Sequence, residues 1–374
     1  MYLDSELEID KNVCGKCFGE SFIRKYIKKN GSRGKCSYCD KTLNILPFNT
    51  VIKIISEGFS YLFEDAADER PYDKDGEHGF YGNTYDLYDI FWDDHLGLLA
   101  DESLNEDIKS IFDEDVVYGC KNEYHSFNDD CKSAWMNFQR VVKYQARFVF
   151  HFKNKFDNYS YIDPLSTLEL VQDLIKELSL FTELKENTVL YRCRQHEKKN
   201  EITEAKHLAS SPLEYSLTNG RMNPAGIAMF YCSKNKDITI KEVVDESDTS
   251  KRYFSTGIFR TKEKIKLVDL SHLPEIPSIF DRKKNKNIET IEFLKDFIGD
   301  VIKPIKETDS IIEYIPTQII TEYIRYNQEL DVQGIMYPSS KNNGDKNIVL
   351  FHNHEESLEK LSFSQSSIKT KCLD

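Results

Sequence analysis

Residues 220–243 read GRMNPAGIAMFYCSKNKDITIKEV, and the succession of residue types in this stretch organises the C-terminal half of the chain. Gly220, Pro224 and Gly226 punctuate a polar turn that carries Arg221 and Asn223. The run Ile227 to Tyr231 then reads as a short strand, and Glu242 follows on Thr239-Ile240-Lys241. Further β-like runs lie on both sides: Val189-Leu190-Tyr191, with Arg192 directly after it, then Gly257-Ile258-Phe259, Ile265 to Leu270, Val332 to Tyr337 and Asn347 to Phe351. Helical periodicity intervenes at Ile291 to Ile302 and Pro316 to Asn327. Strands and helices mixed without a regular βαβ repeat define an α+β class.

The polar residues at the ends of these runs make one chemical set. Arg192 offers a planar guanidinium that grips a phosphate through two bonds, and Arg221 offers a second. Tyr231 supplies a flat ring, Glu242 a carboxylate and Ser339 a hydroxyl at the end of a strand. Taken singly each has a commonplace reading: a solvated arginine, a surface carboxylate, a turn serine, a core aromatic. Taken together, arginines for a pyrophosphate, an aromatic for a ring, a carboxylate and a hydroxyl describe a nucleotide-glycoside site.

The order of these pieces resembles the RES domain of bacterial toxins, named for its Arg, Glu and Ser. The resemblance runs from LYRCR (190–194) through GRMNPAGIAMFYCS (220–233), ITIKEV (238–243), LVDLS (267–271) and EYIPTQIITEYIR (313–325) to GIMYPSS (334–340) and NIVLF (347–351). It implies an ADP-ribosyltransferase-like mixed sheet and chemistry on NAD. By the resemblance Arg192, Glu242 and Ser339 are catalytic, while Tyr191, Arg221, Asn223, Tyr231 and Ser340 bind the NAD substrate; Ser340 abuts Ser339 and competes with it for the signature role. It further implies an antitoxin or regulatory partner that covers the site.

Near the N-terminus Cys14, Cys17, Cys36 and Cys39 follow C-x2-C-x18-C-x2-C, a zinc-ribbon spacing. Two-residue spacers let each pair hold one tetrahedral ion, and four thiolates leave no open position, so the expected zinc is structural. Arg24, Lys25, Lys28, Lys29, Arg33 and Lys35 cluster around Phe22, Tyr26 and Tyr38, as a solvated face or a nucleic-acid surface would. Apolar residues at helical spacing from Lys132 to Phe156 predict one long amphipathic helix, and Ser166 with Glu169 has capping-box spacing before another. The N-terminal part resembles a zinc-bearing domain that precedes RES or HEPN effector domains. The nearest approach to the R-x4-6-H motif of HEPN nucleases is Arg147-x3-His151, one residue short, and both residues are read as structural. The expected domains are 1–163, ribbon and helices, and 164–374, the NAD-processing part.

The chain has 374 residues, a net charge of -13 and nine cysteines, five of them scattered outside the CxxC pairs. The acidic balance opposes general binding to a phosphate backbone. An odd set of dispersed thiols fits a reducing cytoplasm. No run approaches the roughly 18 apolar residues of a membrane span, and the acidic start MYLDSELEID is unlike a secretion signal. The combined expectation is a cytoplasmic toxin or defence effector that hydrolyses NAD. Transfer of ADP-ribose to a protein or of the ribosyl group to phosphate shares the same site, and a nucleic-acid-binding scaffold with an inactive domain is the non-enzymatic rival.

Overall fold

The computed structural model describes residues 9–75, 77–92, 98, 102–112, 115–121, 126–150, 162–304, 310–342 and 344–373. They divide into two compact units, Met1–Phe127 with Glu275–Ile291 and Asn128–Pro274 with Glu292–Asp374.

The first unit opens with β1 (Asn12–Cys14), α1 (Ser21–Asn30), β2 (Ser32–Lys35) and β3 (Thr42–Pro47), whose strands form an antiparallel sheet in the order β1-β3-β2. α1 starts where the Glu20 carboxylate accepts from the Ile23 backbone N–H over 2.7 Å, and it buries Ile23 and Ile27. α2 (Phe48–Leu62) buries Phe48, Val51, Ile52, Ile55 and Phe59, a stripe at helical spacing that builds the core of this unit. β4 (Phe63–Asp65), α3 (Ala66–Glu69), β5 (Thr84–Tyr85), α4 (Leu87–Trp92), α5 (Glu102–Lys109) and β6 (Tyr118–Cys120) complete it, with a second sheet in the order β4-β6-β5. Phe280, far along the chain, fills this core against Gly58, where a Cβ would stand 2.3 Å from the Phe280 ring. Arg282 pairs with Glu57 over 2.8 Å beside it.

The second unit contains α6 (Phe127–Tyr144), α7 (Pro164–Glu177), β7 (Phe181–Leu184), β8 (Val189–His196), α8 (Ala205–Leu208), β9 (Phe230–Cys232), α9 (Lys236–Val243), β10 (Tyr253–Thr261) and β11 (Ile265–Asp269). α10 (Ile288–Ile302), which enters this unit from Glu292, α11 (Ser310–Glu313), α12 (Ile315–Tyr326), β12 (Gly334–Pro338), β13 (Lys346–Leu350), α13 (His354–Lys360) and β14 (Leu361–Cys372) follow. A five-stranded mixed sheet, β7-β11-β12-β13-β9, has its one parallel pair at β11 and β12, and an antiparallel sheet runs β14-β10-β8. Period-two alternation explains the layering. Val268, Ile335 and Val349 face a core built with α6, α7, α10 and α12, whereas Leu267, Met336, Ile348 and Leu350 face a core shared with Leu190, Phe230 and Phe259. Strands buried on both faces read as continuous apolar runs, which is why most were recognisable. The fold is mixed α+β, as expected.

Four local expectations are corrected. The predicted helix over 132–156 ends at Tyr144, and Arg147 and Val149 lie beyond it and exposed; His151, Phe152 and Phe156 lie outside the described residues. The helix after Pro164 is capped by Asp163, whose carboxylate accepts from Leu165 and Ser166 N–H over 3.0 and 3.2 Å, and not by Ser166. β9 begins at Phe230, because the preceding carbonyl of Ile227 accepts the Asn223 side-chain amide over 2.6 Å in a turn. Arg192 lies within β8 and not after it. By contacts, α6 from Asn128 onward goes with the second compact unit. α6 buries Trp135, Phe138 and Val142 in the helical core of the second unit, and Trp135 and Gln139 donate to Asp300 over 2.9 and 3.2 Å. No described helix is long and apolar enough to cross a membrane.

Candidate functional site

β8 and the end of β9 meet at an isolated bridge, in which Tyr191 N–H donates to the Ser233 carbonyl over 2.7 Å and Ser233 N–H returns to Tyr191 over 3.1 Å. This junction opens a cleft of about 370 Å³ lined by Arg192, Arg221, Tyr231, Glu242, Tyr314, Tyr337 and Asn347, among others.

Glu242 stands on the last turn of α9, a helix capped by the Asn235 side chain accepting from Asp237 N–H. Ser339, one residue past β12, donates its hydroxyl to Glu242 Oε1 over 2.6 Å, and Asn347 on β13 donates to the same oxygen over 2.9 Å. Among the described residues Glu242 Oε2 accepts nothing, so one oxygen is held and the other is open. Glu242 is exposed and Ser339 buried, a carboxylate at the surface gripped from beneath.

Arg192 projects beside the Phe230 ring, its guanidinium carbon 4.4 Å from the centroid, and Nη1 donates to the Tyr231 carbonyl over 3.4 Å. Among the described residues no carboxylate lies within ion-pair distance of it. Desolvation brings its pKa down to about 10, with Arg194 contributing like-charge repulsion, so it stays charged at neutral pH. A half-buried cation without a counter-ion is prepared for an anionic ligand. Arg221 is committed differently: Nη1 donates to the carbonyls of Val301 and Lys303 over 2.6 and 2.9 Å at the end of α10, and its guanidinium carbon lies 5.2 Å from the Tyr314 ring.

The turn over 220–227 is braced throughout. Tyr231 donates its hydroxyl to Asn223 Oδ1 over 2.6 Å and accepts Met222 N–H over 3.0 Å, while Gln318 donates to the Gly220 and Asn223 carbonyls over 2.9 and 3.1 Å. A Cβ on Gly220 would meet Asn223 Oδ1 at 2.3 Å and the Tyr231 hydroxyl at 2.7 Å, so only glycine leaves room for that bond. Burial raises the Tyr231 and Tyr337 phenols and keeps both neutral.

Of the residues singled out from sequence, Arg192, Arg221, Tyr231 and Glu242 line one cleft and Ser339 enters it through Glu242. Tyr191, Asn223 and Ser340 are not among the lining residues: Tyr191 contributes backbone to the bridge, and Asn223 spends its amide inside the turn. Tyr314, Tyr337 and Asn347 were missed. Asn347 opens the apolar run NIVLF, and a polar residue opening such a run was the signal available.

In the first unit Sγ of Cys14 lies 3.8 Å from Cys17 and 3.6 Å from Cys39, and Cys17 lies 3.7 Å from Cys36. Sulfurs about 2.3 Å from one tetrahedral ion stand about 3.8 Å apart, so the group fits a zinc ribbon. Burial, with neighbouring sulfurs adding to it, pushes the Cys14 and Cys17 thiols up, so four thiolates here call for a cation.

Compared with models of known families, residues 189–366 match the RES domain and residues 29–156 match HEPN/RES N-terminal domain 1. The chain therefore carries a RES domain behind a HEPN/RES N-terminal domain, and every residue lining the cleft falls inside the RES match. No curated protein matches the chain.

Proposed function

We propose that the cleft takes NAD and that the chain is a cytoplasmic toxin or defence effector which cleaves the nicotinamide–ribose bond and depletes NAD. The observation that carries the reading is the one-sided grip of Ser339 and Asn347 on Glu242 in a cleft that also presents Arg192 without a counter-ion. The RES match supports the substrate, since RES domains resemble enzymes that act on NAD.

Arg192 holds the pyrophosphate, and Tyr231, Tyr314 and Tyr337 offer aromatic faces to the nicotinamide end. The glycosidic bond from ribose C1′ to the pyridinium nitrogen breaks, and its electron pair leaves with neutral nicotinamide. Glu242, steadied through Oε1, turns Oε2 to the ribose hydroxyls and stabilises the oxocarbenium-like charge. Water adds at C1′ and releases a proton, leaving ADP-ribose. Nicotinamide is a good leaving group, so positioning supplies much of the acceleration. ADP-ribosyl transfer to a protein, or phosphorolysis, differs only in the acceptor. An antitoxin or regulatory partner that covers the cleft would silence any of the three. The four cysteines hold structural zinc in this reading.

Nicotinamide release by the purified full chain tests it, beside Glu242→Gln. The variant should lose about 10²–10³ in kcat with an unchanged melting profile; equal rates for the two proteins would overturn the assignment of Glu242.

A further inference from the structure

Averaging the charge over the chain hides its distribution. Residues 11–46 carry nine lysines and arginines against two acids, while the remainder carries 41 against 61. The basic residues are also gathered in space. Ser21, Arg24, Lys25 and Lys28 recur at helical spacing along the exposed stripe of α1, opposite the buried Ile23 and Ile27. They line a cleft of about 680 Å³ whose other walls are Gly15 and Lys16 of the first cysteine knuckle and Leu43 and Asn44 of β3. Asn44 ties the walls together by donating to the Lys28 carbonyl over 2.8 Å. Among the described residues, none of Lys16, Arg24, Lys25 and Lys28 has a carboxylate within ion-pair distance, whereas Lys35 nearby is paired with Asp40 at 2.9 Å.

We infer that this cleft is a binding site for a single nucleic-acid strand, held through its phosphates. Four uncompensated cations on facing walls suit a chain of repeating negative charges better than one compact anion, and the apolar Leu43 beside them suits the exposed bases of a single strand. Among the described residues that line the cleft none is aromatic, so it offers no stacking platform for bases. Recognition is therefore of backbone and insensitive to sequence. The cleft shares residues 15 and 16 with the knuckle, so the cysteine cluster sets its geometry.

The test is fluorescence anisotropy of the full chain with labelled single-stranded RNA and DNA of about 20 nucleotides, from about 50 to about 200 mM salt. Four phosphate contacts on a single strand give a slope of log K against log salt near -2.8, at about -0.7 per contact. The triple variant Arg24→Ala, Lys25→Ala, Lys28→Ala, all exposed and so compatible with an unchanged melting curve, should bind at least about tenfold more weakly with a slope near -0.7. Lys16→Ala alone, on the other wall, should remove about 0.7 of slope. No anisotropy change at low salt, unaltered binding by the triple variant, or equally tight binding of polyglutamate would each overturn the proposal.

Discussion

The hydroxyl of Ser339 donates to Glu242 Oε1 over 2.6 Å, joining a strand end to a helix 97 residues earlier. Among the described residues Ser340, its neighbour, makes no hydrogen bond to Glu242, which takes Ser339 and Asn347. If Glu242 acts from a held geometry, Ser339→Ala should lower kcat for NAD cleavage by about tenfold or more, since removing one orienting hydrogen bond typically costs about 1–2 kcal/mol. Ser340→Ala should stay near wild type. Asn347→Ala should resemble Ser339→Ala, and adding either to Glu242→Gln should cost little more, because all three act through one carboxylate. Rate measurements on the single and double variants check this, and additive losses would refute it.

Arg192 combines a functional position with an electrostatic cost. Its pKa is depressed to about 10, so the folded protein disfavours its charged form, and this penalty is present at every pH below about 10 and relieved above it. Arg192→Met should therefore melt no lower than wild type at neutral pH while raising the KM for NAD by at least about tenfold, roughly 1.4 kcal/mol of binding. In the wild type, KM should begin to rise as pH approaches 10, well before an ordinary arginine deprotonates. A clear loss of thermal stability in Arg192→Met would show a structural role instead.

Different parts of the molecule were legible in the sequence for different reasons. The cysteine knuckles announce themselves because both halves of each ligand pair are local. The strands around Val268, Ile335 and Val349 were legible because burial on two faces makes an apolar run. Tertiary commitments were not. Nothing near Arg221 indicates that it would satisfy carbonyls at Val301 and Lys303, and nothing near Phe280 indicates that it would fill a core beside Gly58. Tyr314, between α11 and α12, belongs to no spacing pattern, and only the tertiary fold brings it into the cleft beside Arg221. The basic cluster from Arg24 to Lys35 was legible from the local run of residues and not from the net charge, because an average over 374 residues carries no positional information.

The cysteine cluster predicts a metal-dependent first unit. Metal analysis should return one zinc per chain. Cys36→Ser, or chelation, should abolish hydrogen-exchange protection in the sheet formed by β1, β3 and β2, because binding energy at such sites is folding energy, on the order of 10 kcal/mol. Protection that persists after the metal is stripped would mean that the apolar neighbours Phe18, Ile23 and Ile27 suffice without it.

His352 is buried, its Nε2 meets no partner among the described residues, and desolvation lowers its pKa to about 4, with Lys360 adding repulsion. The unfolded chain binds a proton at this residue near pH 6.5, whereas the folded one resists until about 4. The stability it confers is therefore complete above pH 6.5 and is lost as pH falls toward 4, on the order of 2 kcal/mol between pH 7 and pH 5. Urea unfolding at those two pH values should show the difference in wild type, and His352→Gln should flatten it, since glutamine does not titrate. Its absolute stability at pH 7 is free to move either way with packing, so the diagnostic quantity is the pH slope. An undiminished slope in the variant would assign the acid sensitivity to other groups.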